Sequence, residues 1–128
     1  MRLLLDTHAL LWGLLDDPRL SHRAKAAMAD QDNDMVVSAV SLFEVKLKHR
    51  LGKLDEAAAF VTHHRRIMAD IGWSPLSVSI DHAALAGSLD IPHKDPFDRL
   101  LIAQALTERV PIVSNEKLFD AFGVERLW

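Results

Sequence analysis

The segment HKDPFDRLLIAQAL, His93 to Leu106, sets two aspartates three residues apart around a proline, at the mouth of an apolar stretch. Carboxylates placed this way have two uses. One is to accept hydrogen bonds from the unpaired N–H groups of a helix start. Asp95 followed by Pro96 fits that use, because the carboxylate caps while proline fills a position whose N–H had no partner. Asp98, one turn further in, gains from the positive end of the helix dipole. The other use is to hold a cation, and that requires carboxylates from elsewhere in the chain.

Asp6, Glu44 and Glu116 are the candidates. Asp6 interrupts an apolar run, following Arg2–Leu5 and preceding HALLWGLL; a carboxylate there is buried at the expense of its hydration unless a positive group compensates. Glu44 completes Ser41-Leu-Phe-Glu44, a capping-box spacing, so structure explains it as well as chemistry does. Ser114 and Glu116 follow the apolar PIV directly. Carboxylates that converge repel one another, which favours their neutral forms. A divalent cation reverses that preference, and oxygen ligands suit magnesium, with manganese as a substitute. A metal site is therefore the reading that accounts for Asp6. Histidines supply no competing site: His63 and His64 are adjacent and point to different helix sides, and there is no His-Glu-x-x-His zinc motif. His8 and His93, close in sequence to the acids, read as polar or capping residues.

The acids can act together only if distant segments meet. Arg2–Leu5 reads as a strand buried on both faces. Thr7 then caps a helix over His8–Leu15. A helix at Ser21–Ala29, a strand at Met35–Ser38 and a helix from Leu42 to Leu51, stopped by Gly52, follow. Ala57, Phe60, Val61, His64, Ile67, Met68 and Ile71 recur at helical spacing and predict one long amphipathic helix over Asp55–Ile71. WSPLSV reads as a strand moved to an edge by Pro75. Helices at Asp81–Leu89 and Pro96–Arg109, the strand PIV, a short helix at Lys117–Phe122 and the strand VERLW complete the series. This alternation implies an α/β fold, a central, mostly parallel sheet with helices on both faces. Sites in such sheets form outside the carboxyl ends of the strands, where Asp6, Glu44, Asp98, Ser114 and Glu116 all fall.

Composition sets the frame. With 128 residues, 49% of them apolar, and no linker-like segment, residues 1–128 form one domain. The absence of cysteine excludes disulfide scaffolds, thiolate metal sites and cysteine nucleophiles. The interrupted N-terminal apolar stretch resembles neither a signal peptide nor a membrane span, so a soluble protein of a reducing cytoplasm is expected. Net charge is only −3. Yet Lys46, Lys48, Arg50, Lys53, Arg65 and Arg66 face only Asp55 and Glu56 over residues 46–66. That segment reads either as a solvated helix exterior or as a phosphate-steering face. Leu10, Leu11, Trp12, Leu14 and Leu15 exceed what one buried stripe requires, so part of the first helix is expected to meet another chain.

Four ordered segments, LLLDTHALLW, SAVSLFEVKLKHRLGKL, HKDPFDRLLIAQAL and IVSNEKLFDAFGV, resemble the PIN-domain ribonucleases, specifically toxin subunits of VapC type. The resemblance spans nearly the whole chain. It implies a magnesium-dependent endoribonuclease silenced by a cognate antitoxin, with RNA as substrate. It further implies a homodimer and a toxin–antitoxin hetero-oligomer that reaches operator DNA only through the antitoxin, away from any membrane. The residues carried over are Asp6, Glu44 and Asp98 as metal-holding acids, and Glu116 as a fourth catalytic acid. Thr7, Ser114 and Asp95 are auxiliary, Asp95 as the cap fixing where its helix starts. The chain departs from the family at Glu116, where an aspartate stands two residues after the hydroxyl residue. A response-regulator-like or other metal-dependent phosphohydrolase would place an acidic pair after the first strand and a lysine after a later one, and neither pattern is clear. A catalytically silent PIN-like binding module is the third reading.

Overall fold

The computed structural model describes residues 1–92 and 95–128, so the expectation for His93 lies outside the described residues. Five strands, β1 (Arg2–Leu5), β2 (Asp34–Ser38), β3 (Ser74–Leu76), β4 (Ile112–Val113) and β5 (Arg126–Leu127), form one sheet in the order β3-β2-β1-β4-β5. Every pairing is parallel, with Leu5 beside Val37 on one side and Val113 on the other. β1 is central, and Leu3, Leu4 and Leu5 are fully buried, as an unbroken apolar run on a parallel strand requires.

Because side chains alternate along a strand, the sheet feeds two cores. Leu3 and Leu5 pack with Leu10 of α1 (Thr7–Leu14), Ala24 of α2 (His22–Ala29), and Phe60 and Met68 of α4 (Ala58–Ile71). On the opposite face Leu4 and Val36 pack with Leu101, Ile102 and Ala105 of α6 (Pro96–Glu108) and with Phe119 of a 3-10 helix at Lys117–Phe122. α3 (Ala39–Arg50) contributes to both, through Val45 to the first and Val40 to the second. α5 (Ile80–Ser88) packs along α6. The α/β expectation holds, and the sheet is wholly parallel. β3, with Pro75, is an edge strand as its sequence predicts.

Helix starts depart from the sequence reading at two places that matter. α1 is capped by Asp6, whose Oδ1 accepts from the Ala9 N–H at 2.7 Å, and Thr7 is already helical. α3 begins three residues earlier than expected: β2 runs into it without a loop, and the Ser38 hydroxyl accepts from the Val40 N–H at 3.0 Å. Ser41 and Glu44 therefore lie inside the helix and form no capping box. The single helix expected over Asp55–Ile71 is a 3-10 turn at Asp55–Ala57 followed by α4, whose backbone leaves helical geometry at His63 (φ −122°, ψ 31°). α4 ends at Gly72 with φ 87°, a conformation glycine adopts without the steric penalty of a Cβ.

α6 starts as predicted. Asp95 Oδ1 accepts from the N–H groups of Phe97 (2.9 Å) and Asp98 (3.3 Å), with Pro96 in the first turn. A buried polar chain then ties α6 to the sheet. The Ser38 hydroxyl donates to Gln104 Oε1 at 2.5 Å, Gln104 Nε2 donates to the Ser77 carbonyl at 3.3 Å, and His82 Nε2 pairs with Glu108 at 3.2 Å. Unpaired, the buried Ser38, His82 and Gln104 groups would each cost about 1–3 kcal/mol, so these bonds fix how β2, α5 and α6 meet.

Candidate active site at the carboxyl edge of the sheet

From β1 the sheet grows outward in both directions, first to β2 and β3, then to β4 and β5. The order reverses between β1 and β4, and a parallel sheet opens a crevice outside the carboxyl ends at such a reversal. Asp6 follows β1 and Ser114 follows β4, so the two flank this crevice. The Ser114 hydroxyl donates to Asp6 Oδ2, while Oδ1 is held by the Ala9 N–H. Asp6 is only 4% exposed. Burial pushes its carboxyl above the ordinary value of 3.8; the Ala9 and Ser114 hydrogen bonds and nearby His8 pull the other way, and the Glu116 charge adds to the rise. No cation pairs with the Asp6 carboxylate among the described residues. It is an acid built to sit beside positive charge.

Toward β2 the next side chain is Thr7. Its hydroxyl stands 2.8 Å from Glu44 Oε1 and 3.1 Å from the Ser41 hydroxyl. A single proton serves one acceptor, so Thr7 donates to Glu44 and receives from Ser41. Glu44 Oε2 accepts from Lys48 Nζ at 2.6 Å, one helical turn along. Both carboxylate oxygens of Glu44 are thus engaged. Toward β4, Ser114 also accepts the Glu116 N–H at 2.9 Å, which places exposed Glu116 at the head of the 3-10 helix. Arg126 fastens this side: it donates to the Ser114 carbonyl at 3.1 Å and grips Asp120 of the same 3-10 helix at 2.8 and 3.1 Å. That grip holds the Asp120 carboxyl below the ordinary value. Asp98 stands in the first turn of α6, which meets α3 where the Phe97 and Phe43 rings lie 5.7 Å apart, each one residue before an acid.

The fold therefore links Asp6, Thr7, Glu44, Ser114 and Glu116 through hydrogen bonds or adjacency, and brings the start of α6 with Asp98 against α3. It does not gather them into a shell: among the described residues no three His, Cys, Asp or Glu side chains stand close enough to hold a metal ion. The donor chemistry fits a hard divalent cation, since the acids are oxygen donors and buried Asp6 gains from positive charge. The Glu44–Lys48 pair shows what such a cation would displace.

Sequence reasoning passed over Lys48 as the counter-ion of Glu44, although their four-residue spacing on a helix is a pairing signal. It also passed over Ser41 as a partner of Thr7, and Arg126, for which nothing local gives a sign. His8 caps nothing; it stacks on Trp12 at 5.4 Å. Most of the apolar surplus on α1 is satisfied within the chain: Leu10, Leu11 and Trp12 are buried, and only Leu15 is well exposed. No helix among the described residues is long and apolar enough to cross a membrane.

Comparison with known proteins agrees with this architecture. No curated protein matches the sequence. Among solved structures, the chain is similar to VapBC2 from Rickettsia felis bound to a promoter DNA fragment (TM-score 0.73, 16% identity, all of both chains covered). It is also similar to a toxin–antitoxin complex from Klebsiella pneumoniae (TM-score 0.66, 22% identity, 94% of this chain and 92% of that one). A third likeness is to VapC20 from Mycobacterium tuberculosis, a toxin that cleaves the sarcin-ricin loop (TM-score 0.65, 21% identity, 95% of each chain). At these identities the likeness carries the fold. The sequence itself matches the PIN domain over residues 3–125, and the chain belongs to the PIN domain family.

Proposed function

We propose that the chain is a metal-dependent endoribonuclease, the toxin of a VapC-type toxin–antitoxin pair, acting in the cytoplasm. The observation that carries this reading is Asp6: a buried carboxylate at the strand-order reversal, held on both oxygens by neutral donors and raised in pKa by burial. Neutral donors orient a carboxylate without discharging it, which leaves its charge for a ligand. Asp6, Asp98 and Glu44 would hold magnesium, or manganese in its place. When bound, that ion supplies positive charge to the scissile phosphate and lowers the pKa of water. The residues themselves do the positioning. Ser114 and the Ala9 N–H aim Asp6, Thr7 aims Glu44, and Glu116 at the rim orients a water and adds negative field.

Partners follow from two surfaces. Leu15, Ile67 and Ile71 help line an apolar groove of about 200 Å³ between α1 and α4, suited to a segment of a cognate antitoxin, through which the hetero-oligomer would reach operator DNA. Phe43, Leu47 and Leu51 form an exposed apolar row on α3, suited to a homodimer. The dispersed acids and the Lys48-bound Glu44 favour a second reading, a catalytically silent PIN-like binding module. Purified protein with generic single-stranded and hairpin RNA, in magnesium, manganese or EDTA, separates them. Cleavage in either metal that stops in EDTA is the expected result; none under any condition leaves the binding module.

A further inference from the structure

A second cleft opens two strands away from Asp6, where β2 and β3 end. Its volume is about 290 Å³, and its walls include Leu42 of α3, Met68 of α4, Trp73 and Leu76. At the share of liquid volume one water occupies, it would hold roughly ten waters, far more than a structural water site. Polar atoms near its floor are turned inward: Ser38 donates to Gln104, and the Ser77 carbonyl accepts from Gln104. One more is unpaired. His64 lines the cleft, and its Nδ1 is the one buried side-chain nitrogen or oxygen without a hydrogen-bond partner among the described residues. An unpaired buried polar atom is unfavourable and rare in a native protein, and here it stands just after the break in α4 at His63. Arg65 lines the same cleft, and its neighbour Arg66 is also exposed.

We infer that this cleft receives one unstacked base of the RNA, hydrogen-bonded at its edge to the His64 imidazole once the ring turns its unpartnered Nδ1 out of its buried position, with Arg65 meeting the adjoining phosphate. The inference rests on the nuclease reading above for the identity of the polymer. Its physical grounds are independent. Proteins that read single-stranded RNA splay bases onto aromatic and apolar walls and bond their edges, while cations follow the backbone. The cleft offers an indole, a thioether, an imidazole whose Nδ1 is shielded and unpartnered among the described residues, and a cation, and it lies on the same sheet edge as Asp6. Strands lie about 4.8 Å apart, so a cleft at the ends of β2 and β3 stands roughly 5–10 Å from the end of β1, and the base held here would lie near the nucleotide at the acids. The cleft would then choose where along a strand the chain is cut.

Nucleosides test the cleft without any cleavable bond. Adenosine, guanosine, cytidine and uridine, each titrated into the whole protein, should include at least one that shifts both the His64 ring and the Trp73 indole signals in NMR spectra. His64→Ala should weaken that nucleoside roughly tenfold, the effect of one hydrogen bond. Ala69→Trp, a substitution at an exposed lining residue, should block it while the unfolding midpoint stays near wild type. With RNA randomised at the positions flanking the cut, both variants should flatten the preference at one position only. If no nucleoside moves either signal at millimolar concentration, or an antitoxin peptide alone does, the inference fails while the nuclease reading stands. Nucleoside binding at His64 in a protein that cuts no RNA would sink the nuclease reading and leave the cleft.

Discussion

On the β2 side of Asp6, Glu44 already has a counter-ion: Thr7 holds one oxygen, the Lys48 ammonium the other, and its side chain is only 14% exposed. On the β4 side, Glu116 is exposed and anchored through its backbone, its N–H donating to the Ser114 hydroxyl and its carbonyl accepting from the Phe119 N–H. The first acid must release an ammonium to meet a cation, whereas the second stays at the rim, where it can hold a water beside the ligands. Between them, Asp6 is fixed and, among the described residues, has no counter-ion. A metal would therefore find one preformed ligand, and the order in which the other acids join sets how much each variant loses.

The largest effect should come from the centre. Asp6→Asn keeps the shape and removes the charge, so RNA cleavage should vanish while the fold remains, and Asp98→Asn should behave alike. Single-turnover cleavage across a magnesium titration decides it; a near wild-type rate in either variant removes that residue from the site. Glu116→Ala tests the rim. A residue that supports the ligands without binding the ion is worth about ten- to a hundredfold, and Glu116→Asp should be tolerated. Loss in Glu116→Ala equal to that in Asp98→Asn would place Glu116 among the metal ligands and erase the contrast.

Lys48→Gln should act more gently and in the opposite direction. Without its ammonium, Glu44 loses its competitor for a cation, and the magnesium concentration for half-maximal cleavage should fall a few-fold; a rise would mean that Lys48 serves the substrate phosphate instead. The smallest effect is on stability. Burial raises the folded Asp6 pKa above 3.8, so this group's contribution is fully present below that pH and is lost as pH rises through the folded value. In EDTA, Asp6→Asn should therefore gain on the wild type as pH climbs from 4, read from urea midpoints. A flat difference would mean that the neutral donors fully offset burial.

Much of this was legible in the chain. The apolar run before Asp6 announced a central strand, Pro75 an edge, and Asp95-Pro96 a helix start. Where reading failed, the cause was competition between equivalent caps. Asp6 and Thr7 both suit a cap, as do Ser38 and Ser41, and only the direct passage from strand to helix selects the earlier residue. The break at His63 has no proline or glycine to signal it. Gln104 was visible as a polar residue in LLIAQAL, but its partner Ser38 lies 66 residues away, and spacing along a helix cannot reach that far. The strand-end position of each acid was easier to read than its partners, because position follows from the strand and helix pattern, whereas partners depend on packing between distant segments.

The parallel sheet also has a consequence in time. Ser114 and Asp6 are 108 residues apart, and β1 pairs with no near neighbour in sequence. At about 5–20 residues per second of synthesis, Asp6 is added to the chain roughly 5–20 seconds before Ser114. Its carboxylate cannot acquire its final partner until β4 has been added beside β1. A nascent or truncated chain thus carries Asp6 without the arrangement that orients it for as long as β4 is missing.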